Sequence, residues 1–405
     1  MTLHLLCVGG EDHALRIPFL HVLRDRGFRV SAAGTGDPGP FRRNRIPFHR
    51  YQFDRFGFGA TDWLTIRHLS RLLRELQPDM VQTFDTKPNL LVPFASRGAY
   101  PLVRTINGMG WTFSSKTFKA LALRPIYVTL QRLAAFWTSA TVFQNLDDRD
   151  YFIRYHLLGH GTAALIGSSG IDVGAFERAQ TSAGPTDALR AELGLDRSEV
   201  VLMVSRLTVQ KGIQTLLEAA AIVCKQRPSV RFLLVGPRES EGPFAIDKTT
   251  IDRYAPHVTA LGMRSDVPAL LKVADVFAFP TEYREGIPRA LLEAGLAGLP
   301  IVTTQMPGCT DLVVDKWNGY LVPPRNPDQL ALRILDLLQD RSRARAMGRR
   351  SVEFVRHHFD LNSVTARYSD LYSRILSTGH SPQTVASTQS IHQRRGYQRR
   401  GSSTL

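Results

Sequence analysis

EVVLMVSRLTVQKGIQTLLEAAAIVCKQRPSVRFLLVG, residues 199–236, reads as strand, helix and strand in turn. EVVLMVSRL is an apolar run of strand length, IQTLLEAAAIVCKQ repeats apolar residues at helical spacing, and RFLLVG is a second apolar run. Strands that alternate with helices build a parallel sheet covered by helices. Downstream the alternation continues through VTALG, VFAFP and IVTT, with LLEAGLAG helical before the last. A sheet of about five strands is therefore expected there. Upstream, LHLLCV, FRVSAAG, DMVQTF, PLVRTIN, SATVFQ and TAALIG are strand-like, with helical stretches such as DWLTIRHLSRLLRELQ between most of them. Turn formers gather at 168–185. The expected fold is α/β, two Rossmann-like domains (1–170 and 171–376) facing a deep cleft, the last helix able to pack back on the first domain. The basic tail, 377–405, has too few large apolar residues to fold.

Composition sets the outer limits. Of 405 residues, 43% are hydrophobic and 21% charged, an ordinary globular balance with material for large cores. Cys7, Cys224 and Cys309 form no CxxC pair, which argues against a disulfide framework or a zinc site and fits a reducing cytoplasm. MTLHLLCV at 1–8 is too short for a signal h-region, and no run of roughly 18 apolar residues occurs, so any membrane contact should be peripheral. The formal net charge of +15 favours anionic partners.

Ligands of such sheets bind beyond the carboxyl ends of the strands, so residues just past each strand should carry the chemistry. In VSRLTVQKG, 204–212, Arg206 follows a strand and Lys211 stands directly before a helix. Two cations beside free backbone N–H groups suit a diphosphate. The plainer alternative is a strand-end arginine and a surface lysine. In EGIPRALLEAGLAGLP, 285–300, Glu285 and Glu293 are separated by about 2.2 helical turns, which would put both carboxylates on roughly one side of a helix. A carboxylate that accepts from two adjacent hydroxyls is a natural ribose or sugar clamp. Two solvated helix charges are the plainer alternative, but Glu293 stands among Leu291, Leu292, Ala294 and Leu296.

With these motifs in this order, the sequence resembles the family 4 retaining glycosyltransferases over most of residues 1–375. The resemblance rests on VSRL…KG, on both glutamates of EGIPRALLEAGLAGLPIV, on PGCTDLV and on NGYLVP at 318–323. It implies the GT-B arrangement, with the acceptor on the first domain and the nucleotide sugar on the second. It assigns Arg206 and Lys211 to the donor diphosphate, Glu293 to the ribose hydroxyls and Glu285 to the transferred sugar. Gly286, Ile287 and Pro288 should lie near the sugar and phosphate. Gly262, Met263 and Arg264 should approach the nucleobase, and Gly9 and Gly10 the phosphates. Many members place a histidine after the strand matching VRTI; here Asn107 stands there, an amide that can bond a hydroxyl but carries no charge. Asn107 and Gly108 in INGMGWTFSS, and Lys87 in TFDTKPNL, are acceptor-side candidates. YREGIPRALLEA and MPGC look like the bacterial N-acetylgalactosaminyl and related transferases that extend undecaprenyl-diphosphate-linked sugars in capsule, O-antigen or N-glycan assembly. That implies a UDP-activated hexose or N-acetylhexosamine and a lipid-linked saccharide acceptor, at the inner face of the bacterial cell membrane.

The expected chemistry needs no cofactor. Arg206, Lys211 and helix N-termini would stabilise charge growing on the leaving diphosphate. The acceptor hydroxyl would attack an oxocarbenium-like centre from the face being vacated. Asp148-Arg149-Asp150 has the DxD form of metal-dependent glycosyltransferases, but acids also collect at helix starts because of the helix dipole. His156 and His160 have ligand-like spacing, yet HLLGH lacks a catalytic glutamate and Gly159 is expected to end the helix between them. That pair and His4 read as core or loop residues; His13 lies near the glycine loop. FRRNRIPFHRYQFDRFGF and FKALALRPIYVTLQRLAAFW could rest on anionic lipid, or be solvated arginines and an ordinary sheet-covering helix. Arg394, Arg395, Arg399 and Arg400 of the tail could form another lipid contact. Two alternatives stand beside the main reading. A non-hydrolysing UDP-sugar epimerase of the same fold would lack the VSRL…KG and EGIPRALLE pairing. A nucleic-acid-binding protein has only the charge in its favour, and no nucleic acid is expected.

Overall fold

The structure, a computed structural model, describes residues 2–54, 59–114, 117–238 and 244–377. The expected basic tail from 378 on lies outside them, as does part of the arginine-rich segment at 55–58. The first sheet contains β1 (His4–Val8), β2 (Arg29–Gly34), β3 (Phe48–Arg50), β4 (Met80–Phe84), β5 (Leu102–Ile106), β6 (Ala140–Phe143) and β7 (Thr162–Leu165). Their spatial order is β3-β2-β1-β4-β5-β6-β7. The second sheet contains β8 (Val200–Val204), β9 (Arg231–Val235), β10 (Val258–Gly262), β11 (Val276–Phe279), β12 (Ile301–Thr304) and β13 (Gly319–Val322), ordered β10-β9-β8-β11-β12-β13. Every pairing is parallel. The protein is thus an α/β molecule of two Rossmann-like sheets.

Each sheet reverses its strand order at one place, between β1 and β4 and between β8 and β11. Crossovers leave in opposite directions there, so a crevice opens beyond the strand ends. The expected strands are present. β3 and β13 are the additions, and both are short edge strands. Half-exposed Phe48-His49-Arg50 shows no apolar run, because only one neighbour pairs with it.

The chain crosses between the sheets twice, side by side. Ile171 N–H donates to Phe359 O at 2.9 Å, and Leu361 N–H donates to Ile171 O at 3.0 Å. Gly170 makes this crossing possible: its φ is +82°, and a Cβ there would lie 2.7 Å from Leu361 Cα. The last helix, Leu361–Ser377, then packs on the first sheet. Val364, Tyr368, Leu371 and Tyr372 join Leu5, Cys7, Phe19 and Leu20 in one core. Tyr372 OH reaches Gln82 Oε1 at 2.8 Å, and Tyr368 OH reaches Thr105 Oγ1 at 3.2 Å. Tyr368→Ala should therefore destabilise the first domain by about 3–5 kcal/mol, the usual cost of emptying an aromatic site in a core. Urea unfolding checks this; an unchanged midpoint would remove the helix from that core.

Candidate active site

The second domain's wall is built at the reversal between β8 and β11. Arg206 lies in the loop just past β8, half-buried. The helix Ile213–Gln226 begins at Gly212, which has φ +74° and no side-chain cap on the helix. A Cβ at Gly212 would lie 1.9 Å from Pro280 O, so only glycine lets this helix start against the end of β11. Lys211, buried just before it, bonds its Nζ to Glu285 Oε1, which also accepts from Thr281 Oγ1 at 3.1 Å. The rings of Phe279 and Tyr283 flank the ammonium at 5.5 and 5.3 Å.

The two glutamates expected on one side of a single helix lie on different elements. Glu285 and Glu293 do not share a helix, because the helix spans only Arg289–Leu296. Pro288, extended at φ −65° and ψ 121°, caps it. Glu285 stays in the loop after β11. Glu293, held by Arg289 Nε at 2.8 Å, lines a cavity of about 200 Å³ together with Pro268, Pro18, Ser169 and Asp172. Gly262 closes β10 with φ +68°, and Met263 beyond it is 80% exposed. Arg264 is compensated locally, bidentate to Asp266 at 2.8 and 2.6 Å and 3.3 Å from Glu192.

The loop carrying Glu285 reaches the first domain. Arg284 Nη2 donates to Asp148 Oδ1 at 2.7 Å, and Arg284 N–H donates to Ser114 Oγ at 2.7 Å. Asp148 is fully buried; burial pushes its carboxyl up, while Arg284 pulls the other way. Asn145 Nδ2 bridges Asp148 Oδ2 at 3.0 Å and Glu285 O at 2.9 Å. Asp150, the other carboxylate of the DxD-like segment, pairs instead with Arg149 at 2.7 Å. The two acids serve different cations. Gly108, at φ +96°, presses on the same loop: a Cβ there would lie 2.5 Å from Arg284 O.

The first domain's wall gathers the loops after β1, β4, β5 and β6. Gly10 N–H donates to Asp85 Oδ2 at 2.9 Å, and Arg16 Nη2 donates to Asp85 Oδ1 at 2.8 Å. Asn107 Nδ2 also donates to Asp85 Oδ1, at 3.0 Å, while Asn107 Oδ1 accepts from Gln144 Nε2 at 3.0 Å. Gln144 Oε1 then accepts Ile287 N–H from the opposite domain at 3.0 Å. Lys87 does not reach this group; its buried Nζ lies 2.7 Å from both oxygens of Asp62. His156, at φ +53°, lies past the helix Leu146–Arg154, so the helix ends before either histidine rather than at Gly159. Asp85, Gln144, Asn145 and Arg284 were not singled out from the sequence. Asp85 and the Gln144-Asn145 pair directly follow β4 and β6, which was the available signal.

The two halves also match known families. Residues 185–354 match the model for glycosyl transferases group 1, and residues 19–157 match that for Glycosyltransferase Family 4. The chain belongs to these glycosyltransferases. It is 26% identical, over 91% of its own length and 97% of the relative's, to a Campylobacter jejuni N,N'-diacetylbacillosaminyl-diphospho-undecaprenol alpha-1,3-N-acetylgalactosaminyltransferase. It is 27% identical to an Escherichia coli UDP-Gal:alpha-D-GlcNAc-diphosphoundecaprenol alpha-1,3-galactosyltransferase, over 69% of this chain and 71% of that one. Its fold resembles Anabaena HepE, solved with UDP and glucose, at a TM-score of 0.75 and 20% identity, with 92% of this chain and 100% of that one covered. The assignment takes the place of the epimerase and nucleic-acid-binding alternatives.

Beneath the glycine loop the glycosyltransferase buries His13, whose Nε2 donates to Cys7 O at 3.2 Å. Burial, assisted by Arg16, drives its pKa down to about 3. The unfolded chain takes a proton at this histidine near the ordinary 6.5, while the folded chain does not until about 3. Stability should therefore fall as pH drops through this window, by about 2 kcal/mol at pH 5 from this group alone. Urea midpoints at pH 7 and pH 5 measure the loss, and it should shrink in His13→Gln.

Proposed function

We propose that this glycosyltransferase moves a hexose or N-acetylhexosamine from a UDP-sugar to a lipid-linked saccharide, with retention at the anomeric carbon and without a metal, at the inner face of the bacterial membrane. The carrying observation is the meeting of Lys211 and Glu285 at the uncapped start of the helix Ile213–Gln226, in the crevice between β8 and β11. Free N–H groups and the positive end of the helix dipole favour a diphosphate at that point. A bound diphosphate takes over Lys211, aided by Arg206, and releases Glu285 to accept from sugar hydroxyls. Growing charge on the leaving oxygen then meets fixed cations in a closed cleft, the role a metal plays elsewhere. Glu293, beside its cavity, accepts from the ribose hydroxyls, and Gly262 to Arg264 border the base. Gly9, Gly10, Asn107 and Gly108 form the opposing wall, beside Gly286, Ile287 and Pro288. The names of the Campylobacter and Escherichia relatives, both specifying diphosphoundecaprenol-linked sugars, support the acceptor class, and the latter's UDP-Gal supports the donor.

The surface of the first domain fits an acceptor held in a bilayer. The helix Phe118–Ala135 exposes Phe118, Leu121, Ile126 and Leu133 beside Arg132, and residues 117–139 contain no acid. Trp63 and Leu64 are exposed on the helix Ala60–Leu76, with Arg67 stacked on Trp63 at 4.5 Å. Apolar side chains mixed with cations suit anionic lipid headgroups. Among the described residues, no helix is long and apolar enough to cross a membrane.

A thermal-shift screen with UDP, GDP and ADP in EDTA tests the donor. UDP at 100 times its dissociation constant should stabilise by about 2.7 kcal/mol, with EDTA present, and the shift should vanish in Arg206→Ala. A response to GDP or ADP alone would overturn the base, and a shift abolished by EDTA would overturn metal independence. Lys211→Ala should reduce kcat more than donor affinity, because the charge it meets grows in the transition state. For the membrane surface, the Phe118→Ser/Ile126→Ser double variant should sediment with anionic vesicles about tenfold less well than wild type. Equal sedimentation would acquit this face.

A further inference from the structure

We infer that Asp85 is a positioning residue that sets, through Asn107 and Gln144, the peptide Gly286–Ile287 beside the donor glutamate; the inference rests on the cleft being the transfer site. Three hydrogen bonds of 3.0 Å each run in one direction. Ile287 N–H donates to Gln144, Gln144 Nε2 to Asn107, and Asn107 Nδ2 to Asp85. An ionised carboxylate only accepts, so Asn107 must turn its NH₂ to Asp85. The Asn107 oxygen must then accept, so Gln144 must turn its own NH₂ to it. That leaves the Gln144 oxygen for the backbone of the other domain. Flipping either amide would set acceptor against acceptor or donor against donor, so the direction is fixed at the carboxylate end.

The carboxylate is held to that task. Burial acts to raise the Asp85 carboxyl, but Arg16 and the Gly10 N–H outweigh it and keep it below the usual range. Its backbone sits at φ +70° and ψ 158°, a costly conformation for a residue with a Cβ. At the far end the peptide has no room to drift. A Cβ on Gly286 would lie 2.1 Å from Gln144 Oε1 and 3.0 Å from Asn107 C, and one on Gly308 would lie 1.8 Å from Gly286 O. Aligned bonds that end on a charge polarise one another, so the chain acts as a unit.

Amide exchange in the ligand-free protein tests the relay. Asp85→Asn and Gln144→Leu should each speed exchange at Ile287 by about tenfold, the worth of one lost hydrogen bond, after correction for any change in global stability. In transfer assays each should lower kcat while donor KM stays within about twofold, and the double variant should be no worse than the worse single variant. Unchanged exchange at Ile287 would overturn the relay, as would additive losses in the double variant. The exchange readout needs no donor. A wild-type protein that turns over no UDP-sugar but shows the exchange effect would sink the transfer reading and leave the relay standing.

Discussion

Backbone meets backbone where the two domains touch. Gly108 from the first domain lies against the carbonyl of Arg284, and Gly308 lies against the carbonyl of Gly286. No Cβ fits at either contact, so the loop between β11 and the helix Arg289–Leu296 is clamped between two glycines of other loops. The position of Glu285, and through it Lys211, follows from that clamp. The pair between Arg284 and Asp148 strengthens it: Asp148 is fully buried, and removing the cation would leave a charge away from water, which typically costs several kcal/mol.

The main charges around the cleft are balanced inside the protein. Lys211 has Glu285, Arg16 has Asp85, Arg264 has Asp266, and Arg289 has Glu293. The diphosphate proposed for this cleft would therefore exchange partners rather than meet bare cations. Its net gain is the difference between two sets of charge-assisted bonds. On the proposed reading the acidic residues belong to the site as well, since each would take a new partner once its cation is claimed.

The strands, the helix Ile213–Gln226 and the crevice at the strand ends were legible in sequence because they depend on local periodicity and on breakers beside it. β3 and β13 were not: Phe48-His49-Arg50 has no apolar run, and Gly319-Tyr320-Leu321-Val322 opens on a glycine, which reads as a breaker. The placement of Glu285 was misjudged for a related reason. Counting turns from Glu285 to Glu293 assumes a helix running through Gly286 and Pro288, but the chain bends at Gly286 and Ile287 and is extended at Pro288 before the helix starts at Arg289. Asp85, Gln144 and Arg284 lay beyond sequence reasoning in a stronger sense. Their partners are distant in the chain (136 residues for Arg284 and Asp148), and no local pattern announces such a meeting. Asn107 is instructive, because a neutral amide there looks like a lost function until both of its ends are seen to be occupied.

The helix Leu361–Ser377 gives the core of the first domain its last side chains, yet it is the last described element to leave the ribosome. Between β7 and this helix lies the whole second domain. At about 5–20 residues per second, the first sheet waits on the order of 10 to 40 s with an apolar face uncovered. The second domain can finish its own core before the first can. A premature stop just before residue 361 would leave a complete second domain joined to an unfinished first one.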